Sequence, residues 1–400
     1  MRGKAAIAGV ADAASPDGNL PLRGQKLQVA MIRAALEDAG LTIADVDGVC
    51  TADPGMGGMG LAEHLGVRPV FIDGTMTGGS SFEYHVEHAA AAIAHGQAEC
   101  IVSVYASTPH SDRKRMKEAM AAGGGAPQGG GRPQMRGRGG MYPGAAWEAP
   151  FGLRMPIGAY ALAASRHMHE FGTTAEQLAQ IAVDTRAWAT KNPSARFQEP
   201  ITIDDVLASE YVCSPLHKLD CCLQTDGAGA FVMVSAERAK DLRKPPVYVL
   251  GAGSCTTHSM ISQMPTLTTT GTAVSGPKAM SMAGITHDDV DLLMLYDSFT
   301  ITTLLLIEDL GFCGKGEGGA FVEDGKLGPG GSLPTNTNGG GLSYTHPGMY
   351  GMFLITEEVK QLRGEAEARQ LDQCDIAIAS GSGGVLSAMS TCVLGTEAAL

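Results

Sequence analysis

The chain contains no uninterrupted apolar run approaching the roughly 18 residues that a membrane-crossing helix needs. Its basic start, Met1-Arg2-Gly3-Lys4, precedes only the short apolar stretch 5–10. That is too little for a secretory signal and reads instead as a first strand. Positive charge is scarce as well. A total of 29 Lys and Arg against 42 Asp and Glu leaves a net charge of −13, so nucleic acid is not an expected partner. The nine cysteines include no CxxC pair and no spacing with paired histidines that suits zinc. Neither a metal centre nor a disulfide framework is therefore expected, and a reducing cytoplasm fits. Only two tryptophans stand against 54 glycines. This composition predicts a tightly packed α/β protein with many close turns.

Four hundred residues exceed one ordinary core, so two domains are expected. Pro245-Pro246 marks the boundary, giving segments 1–244 and 245–400. An internal repeat supports the division. Residues 35–53 (ALEDAGLTIADVDGVCTAD) align with residues 279–297 (AMSMAGITHDDVDLLMLYD) at a constant offset of 244, with eight of nineteen positions identical and no gap. A second echo pairs Gly78-Gly79 and the strand opening at Cys100 with Gly340-Gly341 and the strand opening at Cys374. Each segment thus follows one helix–strand–glycine turn–helix–strand plan, with the site expected at their junction. Residues 109–158 break this rhythm. They hold Arg113, Lys114, Arg115 and Lys117, then a glycine-rich stretch with Arg132, Arg136 and Arg138. So long a loop is expected to be either a solvated insert or a lid, phosphate contact or docking arm.

The stretch 339–351 draws attention next. Gly339-Gly340-Gly341 permits close backbone approach, and Pro347 terminates the turn that carries His346. Tyr344 and His346 lie between them, both able to carry protons. In the earlier segment, Gly79 and Ser80 open a helix that runs to about residue 95.

Several motifs together resemble the thiolase superfamily over nearly the whole chain. They are Ser214 to Cys222 with Thr225 to Ala230, Tyr296-Asp297-Ser298-Phe299-Thr300, the segment from Glu308 to Glu317, His346-Pro347, and Gly381-Ser382-Gly383-Gly384. The second-half segment is similar to that of sterol-carrier-protein-type thiolases. The resemblance implies an α/β fold of two thiolase-like halves, each with a mixed five-stranded sheet layered with helices, and a homodimer.

Two departures shape the functional expectation. A thiolase needs an activated cysteine at the start of the first-half helix, and that position is Gly79, followed by Ser80 and Ser81. Tyr296 stands where ordinary thiolases carry Asn or His. Together these features resemble the thiolase-fold aldolases of steroid side-chain degradation. That resemblance implies retro-aldol cleavage of a bulky β-hydroxyacyl-CoA and a small OB-fold, zinc-bearing partner protein. Coenzyme A would enter as part of the substrate, and this chain would bind no cofactor or metal. The expected catalytic residues are Tyr296, Tyr344 and His346. One tyrosine would take the hydroxyl proton and the other would protonate the enolate carbon, while His346 donates to the thioester oxygen. Gly79, Ser80, Gly383 and Gly384 would form the oxyanion and substrate-binding wall. The alternatives are an acyltransferase using Ser80 or Ser81, and a non-catalytic thiolase-like subunit.

Overall fold

A computed structural model describes residues 1–53, 55–122 and 145–400. Its main sheet has nine strands: β1 (Ala5–Ala13), β2 (Gly48–Thr51), β3 (Phe71–Asp73), β4 (Cys100–Ser107), β5 (Gly227–Ser235), β6 (Val247–Thr256), β7 (Leu292–Leu295), β8 (Ile376–Gly383) and β9 (Ala388–Gly395). Their spatial order is β3-β2-β4-β5-β1-β6-β9-β8-β7. The helices that matter below are α1 (Gly24–Ala39), α2 (Ser81–Ala94), α3 (Pro109–Ala121), α4 (Ile157–Phe171), α5 (Ala175–Ala189), α6 (Thr272–Ala283), α7 (Thr300–Leu310) and α8 (Gly351–Leu362).

The repeat seen in the sequence is a repeat of structure. Helices α1 and α6 both end on a left-handed glycine, Gly40 and Gly284. Each is followed by the same capping box, Thr42 with Asp45 and Thr286 with Asp289, and then by a parallel strand, β2 or β7. Asp47 accepts the backbone N–H groups of Glu99 and Cys100, and Asp291 accepts those of Asp375 and Ile376. The identical aspartates therefore tie each repeat to its neighbouring strand.

The first segment supplies five strands, mixed in direction. The second supplies four, and its fifth position shrinks to one bridge between Leu293 and Thr335. Pro334, which has no N–H, and the glycines around 328–331 prevent a longer ladder there. The two strand sets join through a short antiparallel contact, Ala6 opposite Tyr248 and Ile7 opposite Val247.

Helices α2 and α8 pack on each other and form the central layer. Helix α8 also meets β8, β1, β5 and β7, while α2 meets β9, β6, β8 and β5. Burial on all sides explains why α8 is apolar over Met352, Phe353, Leu354, Ile355 and Val359, all fully buried. Helices α1 and α6 cover the outer faces of their strands.

The region 109–158 is not a continuous loop. Pro109 starts α3, and Asp226 holds its first turn by accepting the N–H groups of His110 and Ser111. Arg113, Lys114, Arg115 and Lys117 lie on this helix. A helical turn lies at Ala145–Glu148. Arg132, Arg136 and Arg138 lie outside the described residues. Among the described residues, no helix is long and apolar enough to cross a membrane.

Candidate active site

Strand β7 ends at Leu295, and the next residue, Tyr296, leaves its C-terminal edge with a buried ring. This is where α/β folds present reactive groups. The tyrosine N–H donates to the Ser380 carbonyl of the neighbouring strand, which fixes its direction. Its ring lies against the turn before α2. A Cβ built on Gly79 would stand 2.1 Å from Tyr296 Cε2 and 2.4 Å from the Ser382 carbonyl oxygen. Only glycine fits, because the phenol occupies the volume of any side chain there.

His346 completes the pair. Its Nε2 lies 3.1 Å from the Tyr296 hydroxyl, with the rings edge to face at 5.8 Å. The Tyr350 N–H donates to the same hydroxyl at 3.3 Å. The histidine turn is tied to the earlier segment by Thr225, whose hydroxyl accepts the His346 N–H at 2.9 Å. Burial lowers the His346 pKa to about 4, so the ring is neutral at pH 7. Burial also raises the Tyr296 pKa well above its usual value, so the phenol keeps its proton.

The remaining predicted residues divide. Gly79, Ser80, Gly383 and Gly384 come together. A Cβ on Gly78 would stand 2.8 Å from the Gly384 nitrogen, and one on Gly383 would stand 2.0 Å from the Thr77 carbonyl oxygen and 2.5 Å from Ser80 Oγ. Tyr344 points elsewhere. Its hydroxyl donates to Asp12 Oδ2 at 2.8 Å, and Asp12 also pairs with Lys360. The backbone explains the divergence. Gly340–Tyr344 form one π-helical turn after the left-handed Gly339, which turns Tyr344 toward β1 while His346 faces β7. Asp297 holds this turn by accepting the N–H groups of Gly341 at 2.6 Å and Leu342 at 3.2 Å. Burial raises its pKa to about 7.

Both candidate serines serve the helix start. Ser81 Oγ donates to the Gly78 carbonyl and accepts the Thr77 N–H, and Ser80 Oγ meets Thr77 Oγ1 at 3.0 Å. Their hydrogen bonds run to Thr77 and the Gly78 carbonyl, neither of which can act as a base. All nine cysteines are free, and burial raises the thiol pKa at Cys50, Cys100 and Cys222. His85 bridges Ser103 and the Thr75 carbonyl within the core, whereas His88 pairs with Asp73. No group of metal ligands forms among the described residues.

Sequence alone does not single out Asp12, which lies 332 residues from its tyrosine partner. Glu83 falls on the helix after Gly79 and reads from the sequence as a core-edge or interface residue; the structure buries it fully.

A cysteine-free glycine turn, a buried phenol above it and a histidine turn on a duplicated α/β frame define a thiolase-fold protein without its nucleophile. A family model for the thiolase C-terminal domain-like group matches residues 253–396. The steroid side-chain-cleaving aldolase of Thermomonospora curvata is 35% identical over 392 residues, covering 96% of each chain. The 17-hydroxy-3-oxo-4-pregnene-20-carboxyl-CoA lyase of Mycobacterium tuberculosis is also 35% identical, covering 91% of this chain and 92% of its own. The solved Ltp2-ChsH2(DUF35) aldolase superposes with a TM-score of 0.86 at 33% identity, over 99% of both chains. The chain belongs to the thiolase superfamily, within its family of steroid side-chain-cleaving aldolases, and is a thiolase-fold C–C lyase.

Proposed function

We propose that this lyase cleaves a bulky β-hydroxyacyl-CoA by a retro-aldol reaction run by Tyr296 and His346. One observation carries the proposal: the Tyr296 ring fills the space in which a side-chain nucleophile at position 79 would stand. Chemistry must then proceed on a thioester that is never attached to the chain. The substrate β-hydroxyl gives its proton to the Tyr296 oxygen as the Tyr296 proton passes to His346 Nε2. The Cα–Cβ bond breaks, the β-carbon becomes a ketone or aldehyde, and the electron pair enters the thioester enolate. The imidazolium, made strongly acidic by burial, returns the proton through Tyr296 to Cα. Backbone groups of Gly79, Ser80, Gly383 and Gly384 supply the oxyanion wall. Tyr344 supports the site by fixing its turn to Asp12.

A groove of about 810 Å³ suits a large apolar acyl group. Ile157, Ala161 and Leu162 of α4 line it together with Trp147, Phe151 and Met264. On the same helix, Tyr160 stacks on Phe299 at 4.4 Å, three residues beyond Tyr296. We extend two further expectations to this chain. A homodimer is favoured by the open edge strand β3, where Val70 and Ile72 are exposed. A DUF35-type partner is suggested by the composition of the solved Ltp2-ChsH2(DUF35) aldolase, and the family resemblance implies that it would be a small OB-fold, zinc-bearing protein. Free cysteines agree with a cytoplasmic setting.

The test is product analysis with a ring-bearing β-hydroxyacyl-CoA. A ketone or aldehyde and a shortened acyl-CoA should appear without consumption of free coenzyme A. Cleavage that requires free coenzyme A, or an acyl group retained on the protein, would refute the retro-aldol reading.

A further inference from the structure

Glu83 enters the core on the first turn of α2 and is fully buried, yet neither carboxyl oxygen has a hydrogen-bond partner in the described protein. Two glycines make room for it. A Cβ on Gly351 would stand 2.7 Å from both Glu83 oxygens, and one on Gly381 would stand 2.2 Å from Oε2. The same Gly351 position lies 2.2 Å from the Gly79 carbonyl oxygen. The carboxyl group therefore sits in the seam where the glycine turn, the start of α8 and strand β8 meet. Tyr350, the residue just before Gly351, carries the N–H that donates to the Tyr296 hydroxyl.

Other unpartnered oxygens share this seam. Glu358 on α8 is fully buried with both oxygens unpaired, and Glu87 leaves Oε2 unpaired. Ser390 lies directly opposite Gly381 in the antiparallel register, so its side chain projects from the face against which Glu83 packs. Its hydroxyl is buried and unpaired too. Cys392, two residues along the same face, feels the charges of Glu358, Glu83 and Glu87. The titratable groups facing Glu83 are thus Glu87 on its own helix, Glu358 from α8 and Cys392 from β9, with no cation among them in the described residues. Two adjacent carboxylates in such a place cannot both be charged. Burial pushes the Glu83 carboxyl up to about 8 and raises Glu358 well above the usual carboxylate range. Buried polar atoms without protein partners are the usual hosts of internal water.

We propose that Glu83 is a positioning residue of the Tyr296–His346 site, held neutral and sharing buried water with Glu358 and Ser390, and that loss of its proton disables the site. The effect on turnover rests on the retro-aldol reading above, whereas the proton on Glu83 does not. A neutral carboxyl packs against Gly351, the residue after Tyr350, and so helps to set the distance between the Tyr350 N–H and the phenol. An ionised carboxylate places an unpaired negative charge in this seam, which must rearrange to accommodate it.

Two measurements on the full chain test this. Infrared difference spectra of wild type against Glu83→Gln at pH 6 should contain a protonated-carboxyl band, and its absence overturns the proposal whether or not the chain cleaves any substrate. In turnover of a ring-bearing β-hydroxyacyl-CoA, Glu83→Ala should lower kcat by about tenfold with little change in KM, the size expected for misplaced reacting groups. Glu83→Gln should restore most of that loss and should hold its rate as the pH passes 8, where the wild type declines. An unchanged alkaline decline in Glu83→Gln overturns the proposal. Failure of the wild type to cleave the thioester overturns the retro-aldol reading instead and leaves the infrared result to decide Glu83.

Discussion

Gly79 and Tyr296 occupy one volume between them, since a Cβ on the glycine would stand 2.1 Å from Cε2 of the tyrosine. Each residue requires the other. Gly79→Ala must displace the phenol or the 382–384 strand end, an overpacking that costs about 1–3 kcal/mol. It should lower turnover by at least about 100-fold, because the Tyr296–His346 contact is lost with it. Tyr296→Ala should cost less stability in the Gly79→Ala background than in the wild type, and should not restore activity. Chemical denaturation of the two single variants and the double variant measures the coupling. Additive effects would show that the two residues do not compete for space.

The two tyrosines should behave differently. Tyr296→Phe removes the hydroxyl that meets His346 and should slow cleavage by about 100-fold or more, within the range of general acid–base loss. Tyr344→Phe removes a donor from Asp12, which keeps Lys360 as its partner. The expected result is a loss of about 2 kcal/mol in stability, typical of a hydrogen bond to a charged group, with a much smaller effect on kcat. Steady-state kinetics beside urea denaturation separates the two. A 100-fold slowing in Tyr344→Phe with unchanged stability would place that hydroxyl in the chemistry.

Asp297 should set the acidic limb of the rate profile. His346, at about 4, titrates too low to do so, whereas Asp297 is raised to about 7 by burial. Its carboxylate accepts two backbone N–H groups of the turn that carries His346. Protonation weakens these charge-assisted bonds, so kcat/KM should rise with pH through about 7. Asp297→Asn should lower kcat/KM and flatten that rise. A limb that persists unchanged in Asp297→Asn would assign it to another group.

Much of this was legible beforehand, and the unread parts have physical causes. Asp45-Val46-Asp47 and Asp289-Val290-Asp291 announced the duplication because the same capping and strand-tethering bonds are made twice. Gly79 and Tyr296 stand out in the sequence because each departs from the usual residue at its motif position, and His346 because it matches the histidine turn. Helix α3 was missed because it buries no residue and so carries no apolar periodicity. The direction of Tyr344 was unreadable because it ends a π-helical turn that the sequence does not announce, and its partner lies on the first strand. The bare carboxyl of Glu83 became visible only with Gly351 and Gly381 packed around it.

The edge of the sheet offers a prediction about stability. His88 on α2 bonds Asp73 at the end of β3, Nδ1 to Oδ2 at 2.6 Å. That bond raises the His88 pKa above its ordinary 6.5. The folded chain therefore holds this proton more tightly than the unfolded chain. Its contribution is complete below pH 6.5 and is lost as the pH climbs through the raised folded value. His88 is 41% exposed on its side chain, so solvent screening keeps the effect modest. The Tm of the wild type should fall, relative to His88→Gln, between pH 6 and pH 8.5, with the change centred above 6.5. Added salt should shrink the difference, since the pair is partly open to solvent. Parallel Tm curves for the two proteins across that range would mean that folding does not change how tightly His88 holds its proton.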